Sequence, residues 1–458
     1  MPPIIYERSI RLPAGAEEVY AWHGRPGALE RLSPPWSPVE VVERTGSIGE
    51  GDRAVLRIKA GPFRCRWEAV HHDLPGQLGF MDHQVSGPFS RWVHSHLFES
   101  DGPGQCILTD RIEFQLPADP LGNALGSRVV LGELDRVFSY RHAILRQDLE
   151  THREGPAHPL RIAITGASGQ TGSALSSFLT TGGHQVLPLV RRKAGPGEIS
   201  WEPSEGYIDE AALDGVDAVI HLAGENIGQR WTPSVRRRIV DSRLQGTRLL
   251  AEALARLKRP PRVLLAASAM GYYGDRGDEI LDESAAMGTG FLPEICRQWE
   301  DAADPAGRAG IRVVHLRSGN ILSPAGGALA KMLPAFRAGV AGPLGGGHQW
   351  MSWISIEDVI AGVNFLLARP TLSGAVNLSA PAPVTNREFT RVLARTLHRP
   401  AFVPVPAAAL RLLFGREMAD GTVLASTRLA PARLLAAGYR FRHPELTGAL
   451  AFLLGRTR

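Results

Sequence analysis

Cys65, Cys106 and Cys296 are the only cysteines in the sequence. Their odd number and the absence of any paired spacing exclude a disulfide framework and a cysteine-type zinc site, and a reducing cytoplasm suits them best. Lysine is almost as scarce, standing only at Lys59, Lys193, Lys258 and Lys331 among 51 basic residues. The formal net charge of +5 is carried by arginines scattered among acids, so no basic stripe marks a nucleic-acid footprint. No run of about 18 apolar residues occurs, and the opening MPPIIYERSI lacks the basic and apolar regions of a signal peptide. Neither a membrane nor a nucleic acid is expected as a partner. What is present suits a globular chain: 44% hydrophobic and 21% charged residues, with 50 glycines and 34 prolines marking many turns. At about 150 residues per domain, 458 residues leave room for roughly three packed units.

The first 150 residues are rich in strand patterns. Phe63, Cys65, Trp67 and Ala69 alternate with Arg64, Arg66 and Glu68, and Leu108, Ile112, Phe114 and Leu116 alternate with polar residues. Asp101-Gly102-Pro103-Gly104 reads as a hairpin turn. From Leu125 onward Val130, Leu134, Val137, Phe138, Leu145 and Leu149 take helical spacing, predicting a long helix across the sheet. His94 and His96 share a strand face. With no third ligand in the pattern they read as ordinary strand residues, and no metal site is expected. Residues 151–159, polar with Gly155, Pro156 and Pro159, read as a linker.

An apolar strand, Leu160 to Thr165, then runs into Gly166-Ala-Ser168-Gly169-Gln170-Thr171-Gly172 and an amphipathic helix from Ser173. Such glycines let backbone approach a pyrophosphate whose charge is met by N–H groups at the helix start, so these residues are the candidate dinucleotide cradle. A second strand, Gln185 to Val190, follows and ends in Arg191-Arg192-Lys193, where an acidic residue would select NAD. Cations there suit the 2′-phosphate of NADP(H), leaving NAD(H) the lesser candidate. Asp217 to Leu222 forms another strand, and Leu222-Ala223-Gly224 at its end offers close passage for adenine and ribose. A helix marked by Val235 to Leu257 and a strand, Arg262 to Ala267, continue the alternation, which predicts a doubly wound parallel sheet. Glu225, Arg230 and Trp231 are candidate substrate contacts, with an exposed salt bridge as the alternative for Arg230. Gly342 to Gly347 reads as a pocket-edge loop.

Two resemblances follow from these residues. Through Trp92-Val-His-Ser-His-Leu-Phe and Thr109-Asp-Arg-Ile-Glu-Phe-Gln-Leu, residues 3–150 resemble the START/Bet v 1-like helix-grip superfamily, the polyketide cyclase/dehydrase-like group, which implies an apolar ligand pocket. Residues 160–455 resemble extended short-chain dehydrogenase/reductases. More narrowly they are similar to the epimerase-like TIGR01777 (YfcH-like, SDR39U-type) branch, through His221-Leu-Ala-Gly-Glu-Asn-Ile, Gln229-Arg-Trp, Asp241-Ser-Arg, Gly271-Tyr-Tyr-Gly-Asp, Leu316-Arg-Ser-Gly and Trp350-Met-Ser-Trp-Ile-Ser-Ile-Glu-Asp. The expected architecture is a helix-grip domain (1–150), the linker (151–159), a Rossmann domain (160–397) and a DUF1731-like helical segment (398–458).

The resemblance implies a tyrosine acid with a lysine four residues on, yet none of the seven tyrosines has one. Aligned on Glu300, Leu292 stands where the tyrosine belongs and Cys296 where the lysine belongs, and Cys296 reads as a packed helix residue. Tyr273 and Tyr272 are then the candidate acids and Ser268 the candidate orienter, although alignment on Tyr273-Gly274 puts Ala269 at the serine position. The implied function is an NADP(H)-binding oxidoreductase or epimerase-like enzyme acting on a small molecule. Without the usual Tyr/Lys pair, a non-catalytic NADP(H) sensor is the alternative.

Overall fold

A computed structural model describes residues 2–60, 63–117 and 121–457; the side chains of Phe63 and Leu125 lie outside the described ones. Two compact units result, one built mainly from Met1–Arg153 and the other mainly from Glu154–Leu454.

In the first unit, β1 (Ile4–Leu12) leads through α1 (Ala16–Gly24) and α2 (Ala28–Leu32) to β2 (Glu40–Thr45), β3 (Arg53–Ala60), β4 (Phe63–Asp73), β5 (Gly79–Ser86), β6 (Arg91–Ser100) and β7 (Cys106–Gln115). These strands form one sheet in the order β1-β7-β6-β5-β4-β3-β2, antiparallel throughout. Helix α3 (Leu121–Glu154) closes the unit, burying Leu134, Phe138, Leu145 and Leu149 as the spacing predicts. It also runs through Thr151–Glu154, which the composition assigned to the linker. His152, Arg153 and Glu154 are compatible with a helix, and the chain leaves it only at Gly155-Pro156.

The strand pattern concealed one feature. His94 pairs with Asp82 across β5–β6 and His96 with Asp110 across β6–β7, and both histidines are buried, at 4% and 7% exposure. They are not ordinary strand residues facing an apolar core. Alternation along one strand does not reveal what stands opposite on the next.

The second unit alternates β8 (Arg161–Thr165), α4 (Gln170–Thr181), β9 (Gln185–Val190), β10 (Ile199–Glu202), β11 (Tyr207–Ile208), α5 (Glu210–Leu213), β12 (Ala218–His221), α6 (Pro233–Arg256) and β13 (Val263–Ala269). After β14 (Ile280–Leu281), α7 (Phe291–Asp301) and α8 (Asp304–Arg308) come β15 (Arg312–Ser318), β16 (Asn320–Leu322), β17 (Trp350–Met351), β18 (Trp353–Ser355) and β19 (Gly374–Leu378). The main sheet has the order β11-β10-β9-β8-β12-β13-β15-β19, parallel except for β11. From β8 the chain winds one way to β9 and later returns on the other side as β12. The ends of β8 and β12 are therefore the switch point where an open α/β sheet leaves a crevice for a ligand. Short helices, among them Ala407–Phe414 and Leu446–Leu453, finish the chain. Among the described residues no helix is long and apolar enough to cross a membrane.

Candidate functional site

At the switch point the glycine loop is shaped by contacts no side chain would permit. Gly166 turns with φ +69°, and a Cβ on it would meet Leu222 and Ala223 backbone at 3.0 Å. On Gly172 a Cβ would stand 2.1 Å from the Gly166 carbonyl oxygen. The loop closes on itself, with Gly169 N–H donating to Gly166 O (3.0 Å) and Ser173 N–H to Gly169 O (2.8 Å). Helix α4 thus starts at Gln170 directly beneath the loop, and the first N–H groups of a helix have no partner within it. Ser168 and Gly169 are exposed, Gln170 and Thr171 half-buried and Gly172 buried. The Gln170 side-chain Nε2 is buried without a hydrogen-bond partner. A donor left unpaired is costly, and a phosphate oxygen in the cradle is a group that would satisfy it. These residues therefore fit a dinucleotide.

Behind the loop lies a relay that sequence reading missed. Thr165 Oγ1 accepts from Leu222 N–H (3.0 Å) and Ala223 N–H (3.1 Å), so its proton goes to His221 Nδ1 at 2.7 Å. His221 Nε2 then donates to Thr247 Oγ1 (2.9 Å), which also accepts from the Trp299 indole (2.9 Å). This network assigns the Nε2–H tautomer. Thr165, His221 and Thr247 are all fully buried, and together they lock the ends of β8 and β12 on either side of the crevice. The signal was a threonine before the first glycine and a histidine before Leu-Ala-Gly, which the β8–β12 register pairs directly.

Burial pushes the His221 imidazole down to about 4 from 6.5. The folded state resists a proton that the unfolded chain accepts, so this stability is complete above about pH 6.5 and falls as pH drops toward 4. It amounts to about 3 kcal/mol for this histidine. Denaturant unfolding followed from pH 7 to pH 4.5 is expected to show that loss. It should shrink in His221→Gln, which keeps a donor toward Thr247 and cannot titrate.

The candidate catalytic residues fall into a second buried network. Ser268, Arg317 and Asn377 stand level with one another on β13, β15 and β19. Ser268 Oγ donates to Glu300 Oε1 (2.7 Å), and Arg317 grips Glu300 twice, Nε to Oε1 and Nη2 to Oε2, each 2.8 Å. Arg317 Nη1 donates to the Tyr273 hydroxyl (3.0 Å), which donates to Asn377 Oδ1 (2.8 Å). Burial works against both charges of the ion pair. The hydrogen bonds and mutual attraction outweigh it, holding Glu300 below the usual carboxylate range and Arg317 above its ordinary value. Tyr273 is fully buried and its hydroxyl is pushed up, chiefly by burial. Tyr272 is half-buried on the short helical turn after β13, with the Arg317 guanidinium 3.4 Å above its ring. Cys296 is 4% exposed, and burial followed by the Glu300 charge pushes its thiol up to about 12, which leaves it protonated at neutral pH.

The expected substrate residues are placed as follows. The Glu225 backbone is clamped from α6, its N–H donating to Ser242 Oγ (3.0 Å) and its carbonyl accepting from Arg243 (3.0 Å). Its side chain accepts from Gln229 (3.0 Å). Trp231 donates its indole N–H to Ile227 O (2.9 Å) and meets Phe291 of α7 edge-on. Arg230 is exposed and has no ion pair among the described residues, so the salt-bridge alternative is not what holds it. At the end of β9 Arg192 is held by Glu198 through two hydrogen bonds, of 2.7 and 2.5 Å, and Arg191 is exposed with no ion-pair partner among the described residues. The loop from Gly342 to Gly347 runs beside residues 403–405, Gly345 N–H donating to Val405 O.

Comparison with known proteins agrees with this architecture. Residues 162–378 match the model of the NAD dependent epimerase/dehydratase family, residues 12–131 that of polyketide cyclase / dehydrase and lipid transport, and residues 405–453 a domain of unknown function, DUF1731. An epimerase family protein of Mycobacterium tuberculosis is 44% identical over 297 residues, 64% of this chain and 98% of its own. The structure titled nucleoside-diphosphate sugar epimerase from Corynebacterium glutamicum is 34% identical with a TM-score of 0.81, spanning 98% of this chain and 90% of that one. The human epimerase family protein SDR39U1, solved with NADPH, is 35% identical with a TM-score of 0.60 and covers 64% of this chain and 99% of its own. The chain thus belongs to the SDR39U1-type epimerase family, with a polyketide-cyclase-like domain ahead of the nucleotide-binding one.

Proposed function

We propose that the second unit is an NADP(H)-dependent oxidoreductase of the epimerase-like kind, acting on a small molecule with a carbonyl or carbinol carbon. The observation that carries this reading is the α4 cradle, with Gly166 and Gly172 admitting backbone at the pyrophosphate and the unpaired Gln170 amide beside them. Ser168, Gly169 and Thr171 line the same turn, and Leu222, Ala223 and Gly224 receive adenine and ribose at the end of β12. Arg191 meets the 2′-phosphate, with Arg192 beside it. The NADPH in the human relative's structure supports the choice of NADP(H) over NAD(H). When bound there, the nicotinamide supplies hydride exchange.

The proton belongs to Tyr272. Tyr273 spends its hydroxyl on Asn377 and Arg317, and Ser268 spends its proton on Glu300, so both act as positioning residues. Arg317 holds its guanidinium 3.4 Å over the Tyr272 ring and thereby sets where that hydroxyl points. Glu225, Arg230 and Trp231 border the substrate. The first unit binds an apolar molecule in a cavity of about 270 Å³ walled by Leu56, Trp67, Trp92 and Phe138.

Oxidation of NADPH against a panel of carbonyl compounds tests the reading. Tyr272→Phe is expected to lower turnover by about 10²–10⁴-fold while leaving NADPH affinity unchanged. The sensor alternative draws on the missing lysine and the buried Tyr273, and NADPH binding with no turnover of any substrate class would favour it.

A further inference from the structure

The cavity of the first unit has a polar end that an apolar ligand does not explain. Asp82 of β5 and His94 and His96 of β6 each offer one ligand atom, and the three atoms lie within 4.8 Å of one another. Each is incompletely satisfied. Asp82 Oδ2 reaches His94 Nδ1 only at 3.4 Å, longer than a charge-assisted hydrogen bond. His96 Nδ1 lies 2.8 Å from Asp110 Oδ1 yet in a direction that makes no hydrogen bond, and it is a buried nitrogen without a hydrogen-bond partner.

Behind them, Asp110 is held by His142 Nε2 (2.7 Å) and accepts from His94 Nε2 (3.1 Å). A carboxylate on the far nitrogen of a histidine, itself anchored by another residue, is the support that orients metal-ligating imidazoles. Asp82 is the carboxylate lining this end of the cavity, beside two imidazoles whose ligand atoms converge with it.

We propose that Asp82, His94 and His96 bind one divalent transition-metal ion at the polar end of this cavity, with Asp110 and His142 as positioning residues. Two imidazoles and one carboxylate leave coordination positions open, and all three residues line the cavity. Arg44 and Arg141 line the same cavity, so the molecule that takes the open positions is apolar in body and carries an anionic oxygen, a carboxylate or an enolate.

The test uses the full chain, stripped with chelator and titrated with Co²⁺, whose visible absorption reports nitrogen and oxygen ligation, followed by displacement with Zn²⁺. One equivalent is expected to bind. Asp82→Asn, which keeps volume and shape, should weaken binding more than a hundredfold, and Asp110→Asn by about 10–100-fold. His83→Ala removes the half-buried His72–His83 pair, whose Nε2 and Nδ1 lie 3.0 Å apart, and should leave the affinity unchanged. Stoichiometric binding unaffected by Asp82→Asn, binding lost with His83→Ala, or no tight binding at all would overturn the proposal. His96→Gln, which removes one imidazole, should also weaken Co²⁺ binding more than a hundredfold; circular dichroism shows whether each variant folds, and if His96→Gln does not, Asp82→Asn decides alone. NADPH affinity of the stripped protein is expected to be unaltered, so failure here and failure of the nucleotide reading are separate results.

Discussion

Gly172→Ala is expected to abolish useful NADPH binding, raising the Kd by roughly a hundredfold or more, a cost of about 3 kcal/mol. The added methyl would lie 2.1 Å from the Gly166 carbonyl oxygen and 2.8 Å from Ala167 Cα. Both neighbours are backbone, so no rotamer relieves the clash; either the turn opens or α4 retreats, and the phosphate donors move with it. Gly132→Ala on α3 is the matched control. A Cβ there meets nothing within 4 Å, and the change should leave NADPH binding alone and slightly stabilise the helix. Fluorescence titration of the two variants against the parent chain measures the difference. Similar affinities in both would mean that the cradle is not where the nucleotide sits.

Arg317→Met is expected to destabilise the second unit by about 3–5 kcal/mol, the largest stability effect of any single change considered. The side chains of Arg317 and Glu300 are 6% and 12% exposed, so the methionine variant leaves a carboxylate in the interior with only Ser268 to answer it. It also removes a donor to Tyr273 and the cation over Tyr272. Glu300→Gln/Arg317→Met removes the stranded charge and is expected to recover much of the loss, since a neutral pair costs far less to bury than one unpaired ion. Urea unfolding of the single and double variants gives the comparison. Equal stability of Arg317→Met and the parent chain would show that the pair is solvated.

Residues adjacent along the chain were legible in the sequence; residues adjacent across strands were not. The strand–glycine–helix order around Gly166 and the helical spacing from Val130 to Leu149 both lie within single segments, where period and turn chemistry speak directly. The Thr165–His221–Thr247 relay needs the β8–β12 register and the position of α6. The level row of Ser268, Arg317 and Asn377 needs three strands placed side by side, and only that row shows Tyr273 to be tied down and Tyr272 left. Nothing in the sequence ties Asp82 to the histidines; the β5–β6 hairpin brings it to His94. The linker is the remaining case: the composition of Thr151–Glu154 is polar, and polarity does not separate an exposed helical turn from a loop.

Side-by-side calorimetric titration of the purified full chain with NADPH and with NADH tests the central claim most directly. The account predicts one site per chain and tighter binding of NADPH, because Arg191 and Arg192 stand where an acid would otherwise hold the ribose hydroxyls. Equal or tighter binding of NADH would contradict the assignment of the Arg191–Lys193 turn, and binding of neither would contradict the nucleotide site itself.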